Sequence, residues 1–322
     1  MVPDLAHVER FSRDLDALIA PDVRVGIAVS GGPDSLALLL LAAAARPGRI
    51  EAATVDHRLR LEARDEAKGV GSICRQLGIP HEILYAEWPE KPRSAIQERA
   101  RHERYRLLTA WAKGHALDAI VTGHHADDQA ETILMRLARG AGVRGLAGMR
   151  PAAKVPGSDI PLLRPLLAWR RSELAAICVG GGLEPASDPG NAEERFERVR
   201  VRRALAGSDW LDAQSLASTA GYLGEADAAL QWAMNQEWSR AVRNGGGEIV
   251  YRPSDAPAEI RRRIVQAAVE RLGAEGRPEE LRGRELDRVL AALTAGRQST
   301  IRGVLCSGGA DWRFRKAPRR KS

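Results

Sequence analysis

Apolar positions in the first two thirds of the chain come in two alternating kinds. Residues 23–29 and 50–55 are short, partly β-branched runs, the pattern of buried parallel strands. Residues 36–45 are rich in Leu and Ala and read as a helix. Residues 5–20 put Val8, Phe11, Leu15, Leu18 and Ile19 on one side of an amphipathic helix. The alternation continues with a helix over 62–77, a strand over 81–85, a helix over 94–114, a strand from Ile120, a helix over 127–139 and another over 171–179. Residues 152–160 read as a Pro- and Gly-containing loop, and 164–167 as the start of a strand-to-helix step. Repeated βα units predict an α/β fold: a doubly wound, mostly parallel sheet covered on both faces.

The pattern changes after a Ser-, Gly- and Asp-rich patch over 207–220. Leu223, Ala226, Leu230, Ala233, Met234, Trp238 and Val242 mark a long amphipathic helix, broken at Gly245-Gly246-Gly247. A short strand over 248–251 and two helices follow, one from about Pro257 and one over 279–295. Residues 299–305 and 312–316 then flank a turn at 307–311, a hairpin pattern. At 322 residues the chain has room for two domains, expected at 1–217 and at 218–322, the second small, mainly helical and ending in the hairpin.

Between the first strand and its helix stands Ser30-Gly31-Gly32-Pro33-Asp34-Ser35. Two glycines and a proline there fit a tight turn feeding a helix N-terminus, whose amides favour a phosphate. No Lys follows the glycines, so the Walker A pattern is absent. Asp34 instead puts a carboxylate into an anion cradle, which calls for a cation such as Mg²⁺ between it and the phosphates. The alternative is a plain turn with Asp34 as a helix-terminus acid.

The second dense stretch is Gly123-His124-His125-Ala126-Asp127-Asp128-Gln129-Ala130-Glu131-Thr132. Acids in a first helical turn are ordinary dipole partners. Three are harder to absorb: Asp127 and Glu131 are i,i+4 and Asp128 and Glu131 are i,i+3, so they repel on one face. Mg²⁺ or the ammonium of a lysine would relieve this. Zinc ranks low, because adjacent His at a strand end point opposite ways.

Asp56 and His57 end the second strand, where ligands bind in open α/β sheets, although Asp56 could equally cap the next turn. Arg101 and Arg104 share a helical face, as do Arg198 and Arg202, whose spacing suits a phosphate or carboxylate clamp or a solvated basic face. Arg144 sits among Gly140, Gly142, Gly145 and Gly148, in a mobile lid or an ordinary connector. The net charge of +7 is compatible with a polyanionic partner, and the Arg- and Lys-rich tail from Arg313 would suit RNA phosphates or lie free in solvent. Cys74, Cys178 and Cys306 are far apart and form no Cys-x-x-Cys, which points to a reducing, cytoplasmic setting. Asp4, Glu9, Asp14 and Asp16 are unlike a signal peptide, and the longest apolar run is well short of the ~20 residues of a membrane span.

The Ser-Gly-Gly-Pro-Asp-Ser loop resembles that of the N-type ATP pyrophosphatases. The Val55-Asp56-His57 strand end, Ala100-Arg101-x-x-Arg104-Tyr105, the His-His-x-Asp-Asp-Gln-x-Glu-Thr string, Asp188-Pro189-Gly190-Asn191 and Arg198-Val199-Arg200-Val201-Arg202 narrow the resemblance to bacterial tRNA(Ile)-lysidine synthetases. Ala95, Gly190 and Val199 depart from that family's Asn, Ser and Asn. The resemblance implies a ligase that adenylates the C2 oxygen of the wobble cytidine of tRNA(Ile) with a CAU anticodon. The ε-amine of L-lysine then displaces AMP. It implies ATP and Mg²⁺ at Ser30, Gly31, Gly32, Pro33, Asp34 and Ser35, with Asp56 and His57 beside the adenosine. It implies catalytic roles for Asp34, His124, Asp127, Asp128 and Arg198, and lysine binding by Asp128 and Glu131. Arg101, Arg104, Arg144, Arg200 and Arg202 would meet tRNA, as would the second domain. A tRNA thiolase and a non-catalytic RNA binder are the alternatives. The oligomeric state stays open, a homodimer included.

Overall fold

In β1 (Val25–Ala28) alternate residues face opposite ways: Val25 and Ile27 enter one apolar layer, while a Cβ on Gly26 would lie 2.5 Å from the Trp111 ring on the other face. β2 (Ile50–Asp56) and β4 (Ala119–Thr122) repeat the division, Ala52 and Val121 going to the first layer and Ala53 and Ile120 to the second. A sheet apolar on both faces needs helices on both, which is why the runs read as continuous rather than alternating. In the computed structural model, which describes residues 2–59, 63–88, 96–183, 197–273 and 283–318, this is what forms.

The sheet has the order β3-β2-β1-β4-β6-β5, with β3 at His81–Tyr85, β5 at Ala152–Lys154 and β6 at Pro161–Leu163. All pairings are parallel except β5 with β6. One layer is built by α1 (Leu5–Asp16), α2 (Pro33–Ala45), α3 (Ala63–Leu77) and α7 (Arg171–Gly180), the other by α4 (Ile96–Gly114). α2 is buried almost all round, and Leu36, Leu38, Leu39, Leu40 and Leu41 are each at most 1% exposed. Burying such a side chain contributes about 1.5–3 kcal/mol, so α2 and the loop at its N-terminus are held rigidly.

The expected loop over 152–160 is instead half of a hairpin. The chain reverses where Val155 N–H donates to the Ile160 carbonyl, 2.9 Å, and β5 becomes an antiparallel edge strand. α5 (Ala126–Leu137) is followed by one short turn, α6 (Val143–Leu146), and α8 (Glu197–Ala206) packs on α5. α9 (Ala213–Ala241) already begins inside the polar patch over 207–220, so the second half of that patch is helical.

The chain divides into two compact units, one of residues 1–139 and 147–221, the other of 140–146 and 222–322. The second holds an antiparallel sheet of order β7-β8-β11-β10-β9: β7 (Val242–Gly245), β8 (Glu248–Tyr251), β9 (Gln298–Ile301), β10 (Val304–Ser307) and β11 (Trp312–Lys316). Helices α10 (Ala258–Leu272) and α11 (Gly283–Thr294) cover one face through Ile260, Ile264, Leu286 and Val289. The single strand expected over 299–305 is split into β9 and β10. Arg302 and Gly303 both have positive φ, 48° and 76°, the turn that matches strand twist in a two-residue hairpin. No described helix is long and apolar enough to cross a membrane.

Candidate active site

The carboxyl ends of β2, β1, β4 and β6 lie side by side along one edge of the sheet, where ligands gather in open α/β folds. At the end of β1, Gly31 has φ +87°, a conformation few side chains tolerate. Ser35 Oγ accepts from the Ser30 N–H at 3.1 Å, donates to the Gly32 carbonyl at 3.0 Å and lies 3.1 Å from Ser30 Oγ. The loop is thus closed by its own serines. Gly32 precedes α2 with no side-chain cap, and Pro33 occupies the first turn. The first-turn amides are left to an anion above them. Asp34 stands in that turn, and its Oδ1 is buried without a hydrogen-bond partner.

The end of β4 closes against this loop. A Cβ at Gly123 would lie 2.9 Å from the Asp34 carbonyl oxygen, so glycine is required for the approach. His125 follows as the cap of α5, 2% exposed, with Nε2 3.4 Å from Asp34 Oδ2 and 3.5 Å from Asp128 Oδ2, and Nδ1 3.5 Å from Asp127 Oδ2. Burial would lower the imidazole pKa, but Asp127, Asp34 and Asp128 override it and hold it up at about 10. His125 is therefore charged at neutral pH. Its contact in turn pulls Asp127 down to about 2, against burial.

His124 is the opposite case. Burial pushes it down to about 4, Asp128 resists, and the charges of Arg164, Arg101 and Arg198 reinforce the fall. It is a neutral imidazole with Nδ1 2.9 Å from the Thr122 hydroxyl. The sequence singles out His124 and passes over His125. Yet the clue was present, since a histidine at a helix start followed by two acids is a ready counter-ion.

The repulsion expected among Asp127, Asp128 and Glu131 is relieved within the chain. Glu131 is 1% exposed, its Oε1 lies 2.6 Å from Arg202 Nε, and its Oε2 accepts from Arg198 Nε. Arg198 also donates to Asp128 Oδ1. Between the two arginines Val199 is buried, which turns their shared face of α8 toward α5. Hence the three acids do not by themselves demand Mg²⁺ or an ammonium: His125, Arg198 and Arg202 already meet them. The spacing of the arginines is a carboxylate clamp.

At the end of β2, Asp56 is 4% exposed and Oδ1 accepts from the Arg58 N–H at 2.8 Å, the turn-capping role. Both ring nitrogens of His57 are buried and unpartnered, and burial, then the Arg104 charge, lower its pKa to about 4. Arg101 lies 5.1 Å from the Tyr105 ring centroid. Arg104 and Arg200 are exposed. Arg144 lies on α6 in the second unit. Asp188, Gly190 and Asn191, with Arg319, Arg320 and Lys321, fall outside the described residues. Among the described residues no three His, Cys, Asp or Glu side chains are arranged to hold a metal ion by themselves. The second unit carries a cleft of about 350 Å³ lined by Arg240, Arg243, Arg252, Ser254 and Asp311.

Residues 7–208 match the model of the PP-loop domain. A tRNA(Ile)-lysidine synthase of Novosphingobium aromaticivorans is 46% identical over 97% of this chain and 94% of its own. One of Zymomonas mobilis is 42% identical over 92% and 90%. Among solved structures, a U34-tRNA thiolase of Methanococcus maripaludis superposes with a TM-score of 0.56 at 16% identity, covering 68% of this chain and 80% of its own, a likeness of fold alone. The serine-closed loop, the histidine-capped acid helix and the arginine clamp all lie within the matched stretch, and the chain belongs to the tRNA(Ile)-lysidine synthase family, built on a PP-loop domain.

Proposed function

We propose that the protein ligates L-lysine to C2 of the wobble cytidine of tRNA(Ile), consuming ATP and releasing AMP and pyrophosphate. The observation that carries this is the near full-length likeness to tRNA(Ile)-lysidine synthases, with the strand-end groups described above inside it. The uncapped amides of α2 would hold the phosphates and stabilise a departing pyrophosphate. Asp56 and His57 would flank the nucleoside.

Asp34 fits a divalent cation, because its buried Oδ1 has no donor within the protein. Mg²⁺ takes few protein carboxylates and relies on phosphate oxygens for the rest. When bound it would neutralise charge on the phosphates.

Asp128 and Glu131 already hold one cation, the Arg198 guanidinium, so the same pair can hold the lysine ammonium when Arg198 moves. Arg198 is the exposed member, with 44% of its side chain accessible, so its displacement uncovers little. His124, kept neutral by its burial, would accept a proton from the attacking amine. Arg101, Arg104, Arg144 and Arg200 offer charge to tRNA, as does the second unit.

Incubation with ATP, Mg²⁺, labelled lysine and total tRNA tests the reading: label should enter tRNA together with AMP release. A thiolase would need a sulfur donor instead, and a non-catalytic binder would release no pyrophosphate. The three thiols are buried, and burial pushes Cys74, Cys178 and Cys306 to about 12, 11 and 12, which leaves no ready thiolate.

A further inference from the structure

Arg164 follows β6 directly, and β6 runs parallel to β4 with Val121 opposite Leu163. It therefore emerges at the same sheet edge as His124. Its side chain is buried, 7% exposed. The guanidinium NH1 donates to the Arg150 carbonyl at 2.8 Å, while the Nε–H is buried and has no partner. Among the described residues no carboxylate pairs with it. Folded proteins rarely leave a buried charge without a counter-ion or a buried N–H without an acceptor, unless a ligand supplies both. The surroundings add to the need. Burial depresses the guanidinium pKa, the Tyr105 phenol opposes this, and the Arg101 charge adds to the fall. Arg164 and Arg101 also act together on His124. The end of β6 is thus a buried, positively charged corner lacking an anion.

Position decides which anion. The phosphate cradle belongs to β1, and in the order β1-β4-β6 the acid-bearing end of β4 lies between that cradle and Arg164. Neighbouring strands are about 4.8 Å apart, a span the side chain of lysine covers. A buried guanidinium also admits a small anion more readily than the backbone of a folded RNA.

We propose that Arg164, through its unpartnered Nε–H, binds the α-carboxylate of the amino-acid substrate while the acids after β4 hold the ammonium at the other end. This rests on the lysidine-forming reading, and it adds a residue that discriminates an amino acid from a plain diamine. The guanidinium fork suits a carboxylate, whereas an ammonium at this position would lose the geometry but keep the charge.

The test compares L-lysine with 1,5-diaminopentane, which keeps the reacting amine and lacks the carboxylate, as substrates for AMP release. The wild-type enzyme should prefer lysine. In Arg164→Lys and Arg164→Gln the KM for lysine should rise about 10- to 100-fold, as for removal of one charge-assisted hydrogen bond. The preference over the diamine should collapse, and the KM for ATP should stay within about 2-fold. An unchanged lysine-to-diamine ratio, or a rise confined to ATP, overturns the proposal. Should both variants fail to fold, a crystal structure of the wild type with lysine decides: a carboxylate oxygen within about 3.2 Å of Arg164 Nε supports it, and a carboxylate bound elsewhere overturns it. Wild-type enzyme that releases no AMP with lysine and tRNA would count against the proposed reaction. An active enzyme with unaltered discrimination counts against the subsite alone.

Discussion

His125 Nε2 lies 3.4 Å from Asp34 Oδ2, which ties the phosphate loop of β1 to the acid helix after β4. His125 is 2% exposed and also faces Asp127 and Asp128. Removing it leaves three carboxylates facing one another, and breaking a buried ion pair from one side costs about 3–5 kcal/mol. At roughly 2–4 °C per kcal/mol for a domain of this size, His125→Gln should lower Tm by about 10 °C near pH 6. The folded pKa of about 10 is above the unfolded value of about 6.5. The stabilisation is therefore complete below about pH 6.5 and lost as pH rises through 10. Thermal unfolding of both proteins from pH 6 to 10 should show the gap closing. Asp127 has the opposite sign: held at about 2, it stabilises above its unfolded pKa and ceases to do so as pH falls through 2.

Asp34→Ala should cut Mg²⁺-dependent AMP formation by about 10²-fold or more, the scale of losing a preorganised electrostatic group. tRNA affinity should survive, because Oδ1 is buried rather than open to a macromolecular partner. Pyrophosphate release and tRNA binding, measured on the same preparation, check both halves. Equal turnover in variant and wild type would remove Asp34 from the phosphate site.

The sheet was legible because a strand buried on both faces leaves an apolar run that little else resembles, as residues 25–28 and 119–122 do. The tight loop before α2 was legible because two glycines and a proline between a strand and a Leu-rich run mark a turn feeding a helix start. Edge elements were not. Ala152–Lys154 has no apolar pattern, since its faces are exposed or partly so. The Arg302-Gly303 reversal hides within what looks like one strand, because an arginine at positive φ gives no composition signal. The charge balance of the site was also out of reach. Arg198 and Arg202 meet Glu131 across a separation of 67 and 71 residues, and no local spacing announces such a pairing. Asp56 showed both of its readings in sequence, and its hydrogen bond from Arg58 makes it a turn cap at the same strand end where the nucleoside reading puts it.

The second unit offers a separate test. Arg240 is engaged by Glu237 at 2.7 Å and Ser254 at 2.8 Å, and Arg252 faces Asp311 at a longer 3.6 Å, which leaves Arg243 and the more loosely held Arg252 as the cations to test in this cleft. Replacing both, Arg243→Glu with Arg252→Glu, should weaken tRNA binding and flatten the dependence of log affinity on log salt by roughly 0.7–0.9 for each phosphate no longer neutralised. The KM for ATP should not change. Equal tRNA affinity and an equal salt slope in the double variant would remove this cleft from the RNA interface.

Glu131 gives the most discriminating prediction, because its two oxygens are already taken. Arg198 Nε holds Oε2 and Arg202 Nε holds Oε1 at 2.6 Å. If lysine enters in place of Arg198, its ammonium inherits a charge-assisted hydrogen bond of about 1.5–3 kcal/mol. Glu131→Gln should then raise the KM for lysine about 10- to 150-fold and leave the KM for ATP nearly constant. A purely structural Glu131 behaves differently. Its removal would free both arginines and loosen α8 against α5, so the KM values for lysine, ATP and tRNA would all drift while Tm fell. A Glu131 serving the metal would leave the lysine KM unchanged and raise the Mg²⁺ requirement. Steady-state AMP release against lysine at saturating ATP and tRNA, repeated across Mg²⁺ concentrations with Tm recorded for each protein, separates the three. A selective rise for lysine with Tm held within a few degrees assigns Glu131 to the amine.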